Sequence, residues 1–403
     1  MLAVLARATG ETSLSSGSRH AASRGRIRRV RRLLILTCAI VLVDTIFYAA
    51  LVPLIPHYSE EFGLSKFAVG VVNGSFGAGI LFGAAPGAIL AARIGVRSTA
   101  VAGLALLSVT SLFFGFAGNV EMLVLLRFGE GFGSALSWIA AFTWLVSAAP
   151  EERRGQMIGT LIGAAVVGAL LGPAVGSAAA ELGIAPVFAG VAALGALTLA
   201  GAYLVPPPAE RESPPDFRSL GALLRPQPAV GMALIALSPL LFSILVVLAP
   251  LELSRLGWGA TAIGAAFLAG AAFEALVHPA LGRLSDRIGY RLPVLSGLVL
   301  SLLLLLALPL ASGPWVIAAL VVLCAGAFNA PLTPGTALFT RSSEKAGVGQ
   351  ALGFGVTNVA WAAGYAVGTP VAGALSDVGG NALAYLSMAG ICALALLWMR
   401  RVV

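Results

Sequence analysis

Apolar runs of about 20 residues recur along this chain from residue 33 to residue 399, each long enough to cross ~30 Å of hydrocarbon as a helix. No other feature constrains the fold as much. A segment in lipid must satisfy its own backbone N–H and C=O groups, so only helices and closed barrels can span. A barrel needs ~10-residue segments that alternate apolar and polar, whereas stretches such as 298–308 are continuously apolar. The sequence therefore predicts an all-α membrane protein. Composition agrees: 59% of residues are hydrophobic and only 10% charged, against roughly 25% charged in ordinary soluble chains. The 49 glycines suit close helix–helix approach in lipid.

Twelve spans are expected, near 33–56, 67–91, 98–117, 120–149, 155–180, 185–205, 228–251, 260–282, 292–311, 314–340, 347–372 and 381–399. Prolines and charges interrupt the pattern from Pro206-Pro207-Pro208 to Pro226-Gln227-Pro228. This divides the chain into a basic tail (1–32), a first six-helix half (33–205), a linker (206–227) and a second half (228–403). The tail reads as a juxtamembrane segment meeting anionic lipid; a transit peptide is the alternative from composition. Of the 25 basic residues, only Lys66 and Arg255 fall in the loops of one face, and only Arg127 falls within a span. By the positive-inside rule both termini are cytoplasmic. The +8 charge is thus topogenic and gives no reason to expect a nucleic-acid partner.

The two halves carry internal repeats. Arg93-Ile94-Gly95-Val96-Arg97 follows span 2 and Arg287-Ile288-Gly289-Tyr290-Arg291 follows span 8, each trailed at the same distance by a Gly-Leu pair, Gly103-Leu104 and Gly297-Leu298. Pro173-Ala174-Val175-Gly176 in span 5 matches Pro370-Val371-Ala372-Gly373 in span 11. Parallel six-span repeats with a path between them are one known solution for alternating access.

The residues 282–291, Gly282-Arg283-Leu284-Ser285-Asp286-Arg287-Ile288-Gly289-Tyr290-Arg291, carry a carboxylate beside arginines at a helix end, a grouping that can latch neighbouring helices. They resemble the G-x-L-x-D-R-x-G-x-R loop of the major facilitator superfamily, and the similarity extends over the chain from about residue 33. The first-half copy has Ala88 and Ala92 where that motif has Gly and Asp. Span 4, from Arg127 to Ala135, resembles the family's R-x-x-Q-G-x-G pattern with Glu130 in place of Gln. Span 5, from Gly168 to Gly176 and including Gly172 and Pro173, is similar to the G-x-x-x-G-P-x-x-G motif of its proton-coupled antiporters. Span 1, with Asp44 through Tyr48 and then Pro53-Leu54-Ile55-Pro56, and span 11, with Asn358 and Trp361, point to the drug:proton antiporter branch, of the multidrug efflux and vesicular amine transporter kind. Vesicular amine carriers have an acidic residue where Asn358 stands. The resemblance implies a major facilitator fold of two pseudo-symmetric halves that rock about a central path.

Ionisable groups inside a bilayer cost ~2.5–3.5 kcal/mol on insertion scales, so each is a functional candidate. Asp44 lies mid-span; Glu130 and Arg127 share a face of span 4; Glu274 and His278 are four apart in span 8. Asp44, Glu130 and Glu274 are the candidates for proton coupling. Glu130 can equally be held charged by Arg127, and Glu274 is near enough to its span end to reach interfacial water. Glu252 reads as a solvated charge at the outer end of span 7. Tyr48, Asn73, Arg127, Trp138, Asn329, Asn358 and Trp361 are candidates for the substrate path, where rings accept apolar or cationic molecules. Phe47, Phe142, Trp144 and Phe328 can line the path or fill the core. Conformational roles fall to Gly172, Pro173, Gly176, Gly282, Asp286, Arg287, Gly289 and Arg291.

Nothing in the sequence suggests chemistry on a substrate. There is no G-x-x-x-x-G-K-[ST] loop and no His/Cys cluster with metal spacing, and Cys38, Cys324 and Cys392 read as packing residues. No cofactor and no enzymatic activity are expected. The expectation is a secondary transporter in a cell membrane, of bacterial inner-membrane type, exchanging protons for small lipophilic or cationic compounds. An importer or facilitator of sugars or other metabolites is the alternative, and a non-transporting receptor or scaffold the third reading. Oligomeric state is left open by the sequence, with a monomer sufficient.

Overall fold

The computed structural model describes residues 16–150, 153–206, 217–348 and 350–402, and is entirely helical apart from turns among them. Twelve membrane-length helices follow the expected spans. The first, α1, runs Ser16–Ala50, then through a 3-10 turn at Val52–Leu54 into Ile55–Glu61. Next come α2 (Lys66–Ile94), α3 (Val96–Phe114), α4 (Val120–Ala148), α5 (Arg154–Leu182) and α6 (Ile184–Tyr203). The second set is α7 (Pro226–Arg255), α8 (Ala260–Ile288), α9 (Arg291–Ala307) and α10 (Pro314–Asn329 continued by Leu332–Lys345), then α11 and α12. These last two share one helical run, Gln350–Val402, broken by non-helical backbone at Gly379 and Gly380. Of the expected tail and linker, residues 1–15 and 207–216 lie outside the described residues. The linker's end is a 3-10 segment, Phe217–Leu224.

Local sequence explains where helices start and stop. Ser65 and Asn119 cap α2 and α4 by accepting the amides of Ala68 and Met122. Pro226 and Pro314 open α7 and α10, where a missing N–H costs nothing. The α2/α3 and α8/α9 corners turn on Gly95 (φ +90°) and Gly289 (φ +83°), backbone that a side chain would strain. The repeated Arg-Ile-Gly-x-Arg segments therefore build the same corner twice.

Packing repeats as well. The most deeply buried helices are α1, α4, α7 and α10, at equivalent places in the two sets. Gly168, Gly172 and Gly176 bring α5 against α1, where added side chains would meet Thr45, Ala49 and the Ala50 carbonyl. Gly364 and Gly368 bring α11 against α7 in the same manner. Across the halves, α2 packs on α11 and α5 on α8, the two contacts that a two-fold relation between the halves would generate. Large apolar side chains such as Phe82, Leu197, Leu276 and Leu394 face outward, as a lipid-facing surface requires.

Candidate functional site

Arg127, Glu130, Ser134 and Trp138 recur every three or four residues and so share one face of α4. That face meets α1 at Asp44, which is 2% exposed. Asp44 Oδ2 accepts the Trp138 indole N–H at 2.7 Å and the Ser134 hydroxyl at 3.1 Å. Its other oxygen, Oδ1, is buried without a partner. One turn toward the start of α4, Arg127 and Glu130 form an ion pair at 2.7 Å, each side chain only 1% exposed. The Arg127 guanidinium also donates to the Tyr48 carbonyl at 3.4 Å and lies 4.9 Å from the centre of the Phe76 ring. Gly79 and Gly131 let α2 come this close, since side chains there would collide with the Phe128 and Phe76 carbonyls. Glu130 Oε1 and Arg127 Nε are left unpartnered. Two unused carboxylate oxygens along this buried face, Asp44 Oδ1 and Glu130 Oε1, leave room for a proton to be taken up without breaking an existing bond.

Between the halves lies a cavity of about 150 Å³. Its walls include Tyr48, Phe242, Phe267, Trp361 and Tyr365, with Glu274 and Asn329 as polar lining. Tyr48 sits in a ring cluster, 5.0 Å from Phe76 and 5.6 Å from both Trp361 and Tyr365 (centroid distances). Trp361 and Tyr365 stack at 5.3 Å. The Tyr365 hydroxyl donates to Asn73 Oδ1 at 3.3 Å, tying α11 to α2. Glu274 Oε1 is 3.5 Å from His278 Nε2, and Asn329 of α10, whose amide donates to the Ala325 carbonyl at 3.2 Å, shares the lining. Among the described lining residues Glu274 is the one acid, and no lysine or arginine is present. A ring-walled chamber with a single carboxylate suits a cation.

The expected residues thus fall into two groups. Asp44, Arg127, Glu130 and Trp138 form the polar face within the first six helices. Tyr48, Glu274, Asn329 and Trp361 line the chamber, with Asn73 bonded to its wall. Glu274 lies midway along α8 and lines the cavity. Asn358 is half-buried and is not among the lining residues. Phe47, Trp144 and Phe328 are core. The sequence reading missed Tyr365, whose signal was its place one turn after Trp361, and missed Ser134, Phe76, Phe242 and Phe354.

Pro173 lies where α5 crosses between α1 and α8, close to Gly264. Near the end of α8, Gly282 approaches Thr333 of α10, and Arg287 and Arg291, on either side of the α8/α9 corner, are exposed. The side chain of Asp286, the expected latch, lies outside the described residues.

At the end holding Lys66 the halves are joined, in a way the sequence did not reveal. Asp377 of α11 accepts the backbone amides of Lys66 and Phe67 at 3.1 and 2.8 Å, capping α2 from the other half. Lys66 Nζ bonds Ser376 and Asn381, and Asn381 reaches Glu252 at 3.4 Å. Glu252, which also pairs with Arg255, is therefore part of a network instead of a lone end charge. Nearby, Ser177 bonds the Ala260 carbonyl and Thr261 bonds Glu181, closing α5 on α8. At the opposite end, which carries Arg93 and Arg287, side chains at Gly155, Gly159 and Gly163 of α5 would meet open space. There α11 touches α4 through Phe354, stacked on Phe142 at 3.9 Å.

A model of the Major Facilitator Superfamily matches residues 37–354 and, in a second match, 231–403. The 4-hydroxybenzoate transporters PcaK of Pseudomonas aeruginosa and Pseudomonas putida are each 29% identical over 130 residues, 32% of this chain. That match spans 29% of those relatives' own length. Among solved structures, a bacterial homolog to the human lysosomal transporter Spinster, inward-facing and unoccupied, superimposes with TM-score 0.76 at 18% identity, covering 93% of this chain and 97% of that one. The nucleoside transporter NupG gives TM-score 0.73 at 12% identity, covering 92% and 99%. At such identities these likenesses concern the fold alone.

Proposed function

The chain belongs to the Major Facilitator Superfamily and is a multi-pass membrane transporter, and we propose that it couples proton entry to export of small aromatic cations. The observation that carries this reading is the chamber of Tyr48, Phe242, Phe267, Trp361 and Tyr365 with Glu274 as its acid. Its volume of about 150 Å³ falls below the roughly 300–1,000 Å³ of drug-sized pockets. In this conformation it fits a molecule of one aromatic ring and a short charged arm. With both termini cytoplasmic, as the charge asymmetry implies, the Lys66 end is the outer one. The structure then represents a state closed to the outside.

In the proposed cycle a proton arriving from outside binds Asp44, with Glu130 and Glu274 as further acceptors. Neutralising a carboxylate changes which packing of α1 on α4 costs least, so a proton gradient biases the exchange between states. Substrate sits in the chamber with its ring against Tyr48 and Trp361 and its charge on Glu274. Release follows when the halves rock about the α2/α11 and α5/α8 contacts.

The test is equilibrium binding of a small aromatic cation and of its uncharged analogue. A hydrogen bond to a charged group is worth ~1.5–3 kcal/mol, so Glu274→Gln should weaken the cation roughly 10- to 100-fold and leave the analogue unchanged. Equal loss for both ligands would remove Glu274 as the charge receptor.

A second reading, a small aromatic acid as substrate, is favoured by the match to the 4-hydroxybenzoate transporters. Such a substrate needs a cation, and Arg127 is already neutralised by Glu130 and lies behind Tyr48. Competition by 4-hydroxybenzoate, with no competition by the aromatic cation, would select this reading.

A further inference from the structure

The polar face of α4 and the contact between halves at the arginine-rich end share one side chain. Trp138 donates its N–H to Asp44 Oδ2 at 2.7 Å. The same indole stacks on Phe354 of α11, with centroids 5.9 Å apart and planes 23° from parallel. Phe354 in turn stacks on Phe142 at 3.9 Å and 4°. Among the described residues, Phe354 is the one from the second set of helices that packs into the core built by Leu36, Ile40, Leu104 and Trp144. An indole held on one side by a carboxylate is thus in contact on the other with the half that must move.

Building on the reading of Asp44 as the proton site, we propose that Trp138 is a positioning residue that converts the charge of Asp44 into closing or parting of α4 and α11. With Asp44 charged, the bond to Oδ2 fixes the indole in the orientation that stacks on Phe354. An incoming proton goes to Oδ1, the oxygen without a partner. Oδ2 then becomes a neutral acceptor, and a charge-assisted bond is roughly twice as strong as a neutral one. The indole is freed to turn, Phe354 loses its flat neighbour, and α11 leaves α4. The other charges facing Asp44 are Glu130 and Arg127 of α4, which offset each other as a pair. From α5, Gly168 and Gly172 face α1, and from α6 the apolar Val191 does so; neither helix adds a charge.

The experiment places spin labels at Ser147 of α4 and Gly355 of α11 in a chain whose Cys38, Cys324 and Cys392 are alanine. The inter-label distance is measured in lipid at acidic and alkaline pH. Ser147 is exposed and a side chain at Gly355 would meet nothing within 4 Å. The parent should show the longer distance at acidic pH. Asp44→Asn should show that longer distance at both. Trp138→Phe keeps a ring against Phe354 but lacks the N–H, and should lose the pH response. Phe354→Leu, which keeps apolar bulk, should give the longer distance at both pH values and decides the matter if Trp138→Phe fails to insert. A parent-like pH shift in either Trp138→Phe or Phe354→Leu overturns the role of Trp138 and leaves the Asp44 reading standing. Persistence of the shift in Asp44→Asn, or no shift in the parent, overturns the Asp44 reading and this inference with it.

Discussion

Arg127 and Glu130 illustrate how a membrane chain tolerates charge. Each is 1% exposed and each is the other's partner at 2.7 Å, so neither is an isolated ion in hydrocarbon. Removing one leaves the second buried and uncompensated, which costs ~3–5 kcal/mol in buried pairs generally. Glu130→Ala should therefore lower the unfolding midpoint in detergent sharply, and the double change Arg127→Met with Glu130→Met should recover most of the loss. Equal destabilisation by single and double changes would show that the pair holds nothing together. The presence of these charges was legible in the sequence, because an ionisable residue inside an apolar run stands out. Their bonding was not. The partners of Asp44 are Ser134 and Trp138, far along the chain, and helical spacing says only that those two share a face. That Glu274 lines the chamber was likewise not legible, because helical spacing does not say which neighbour a face meets.

At the scale of elements, glycine decides where helices touch. A side chain at Gly176 would strike the Ala50 carbonyl and one at Gly172 would strike Ala49. Overpacking of this kind costs about 1–3 kcal/mol and forces α5 away from α1. Gly176→Val should leave membrane insertion intact, lower thermal stability by that order and abolish transport, as read by expression, melting and flux together. Normal flux in that variant would mean that the close approach of α5 to α1 is dispensable. Spacing by four made this stripe readable, though not which helix it faced. The spans themselves were readable from hydropathy alone. The interruption between α11 and α12 was readable too: Gly379 and Gly380 fall in the gap expected between residues 372 and 381. The break in α10 after Asn329 lies inside one expected span, although Pro331, which cannot continue a helix without loss of a hydrogen bond, marks the place.

For the molecule as a whole, the described residues join the two halves by polar bonds at one end and by stacked rings at the other. Asp377 capping α2 and the Lys66–Asn381–Glu252 chain close the first; aromatic stacking at Phe354 brings α4 and α11 together at the second. Repeats in the sequence foretold two similar halves. They could not foretell this asymmetry, because it depends on Lys66 and Asp377, two residues with no counterpart motif and over three hundred positions apart. An asymmetric closure of this kind is what a transporter needs if one gradient is to drive one substrate through a common chamber. The central claim, that protons acting at Asp44 drive movement of small aromatic cations, is tested most directly in proteoliposomes with an acidic lumen. A fluorescent aromatic cation should accumulate inside, and collapse of the pH gradient or the change Asp44→Asn should each abolish the accumulation. Accumulation that ignores the gradient, or that survives in full in Asp44→Asn, would contradict the account.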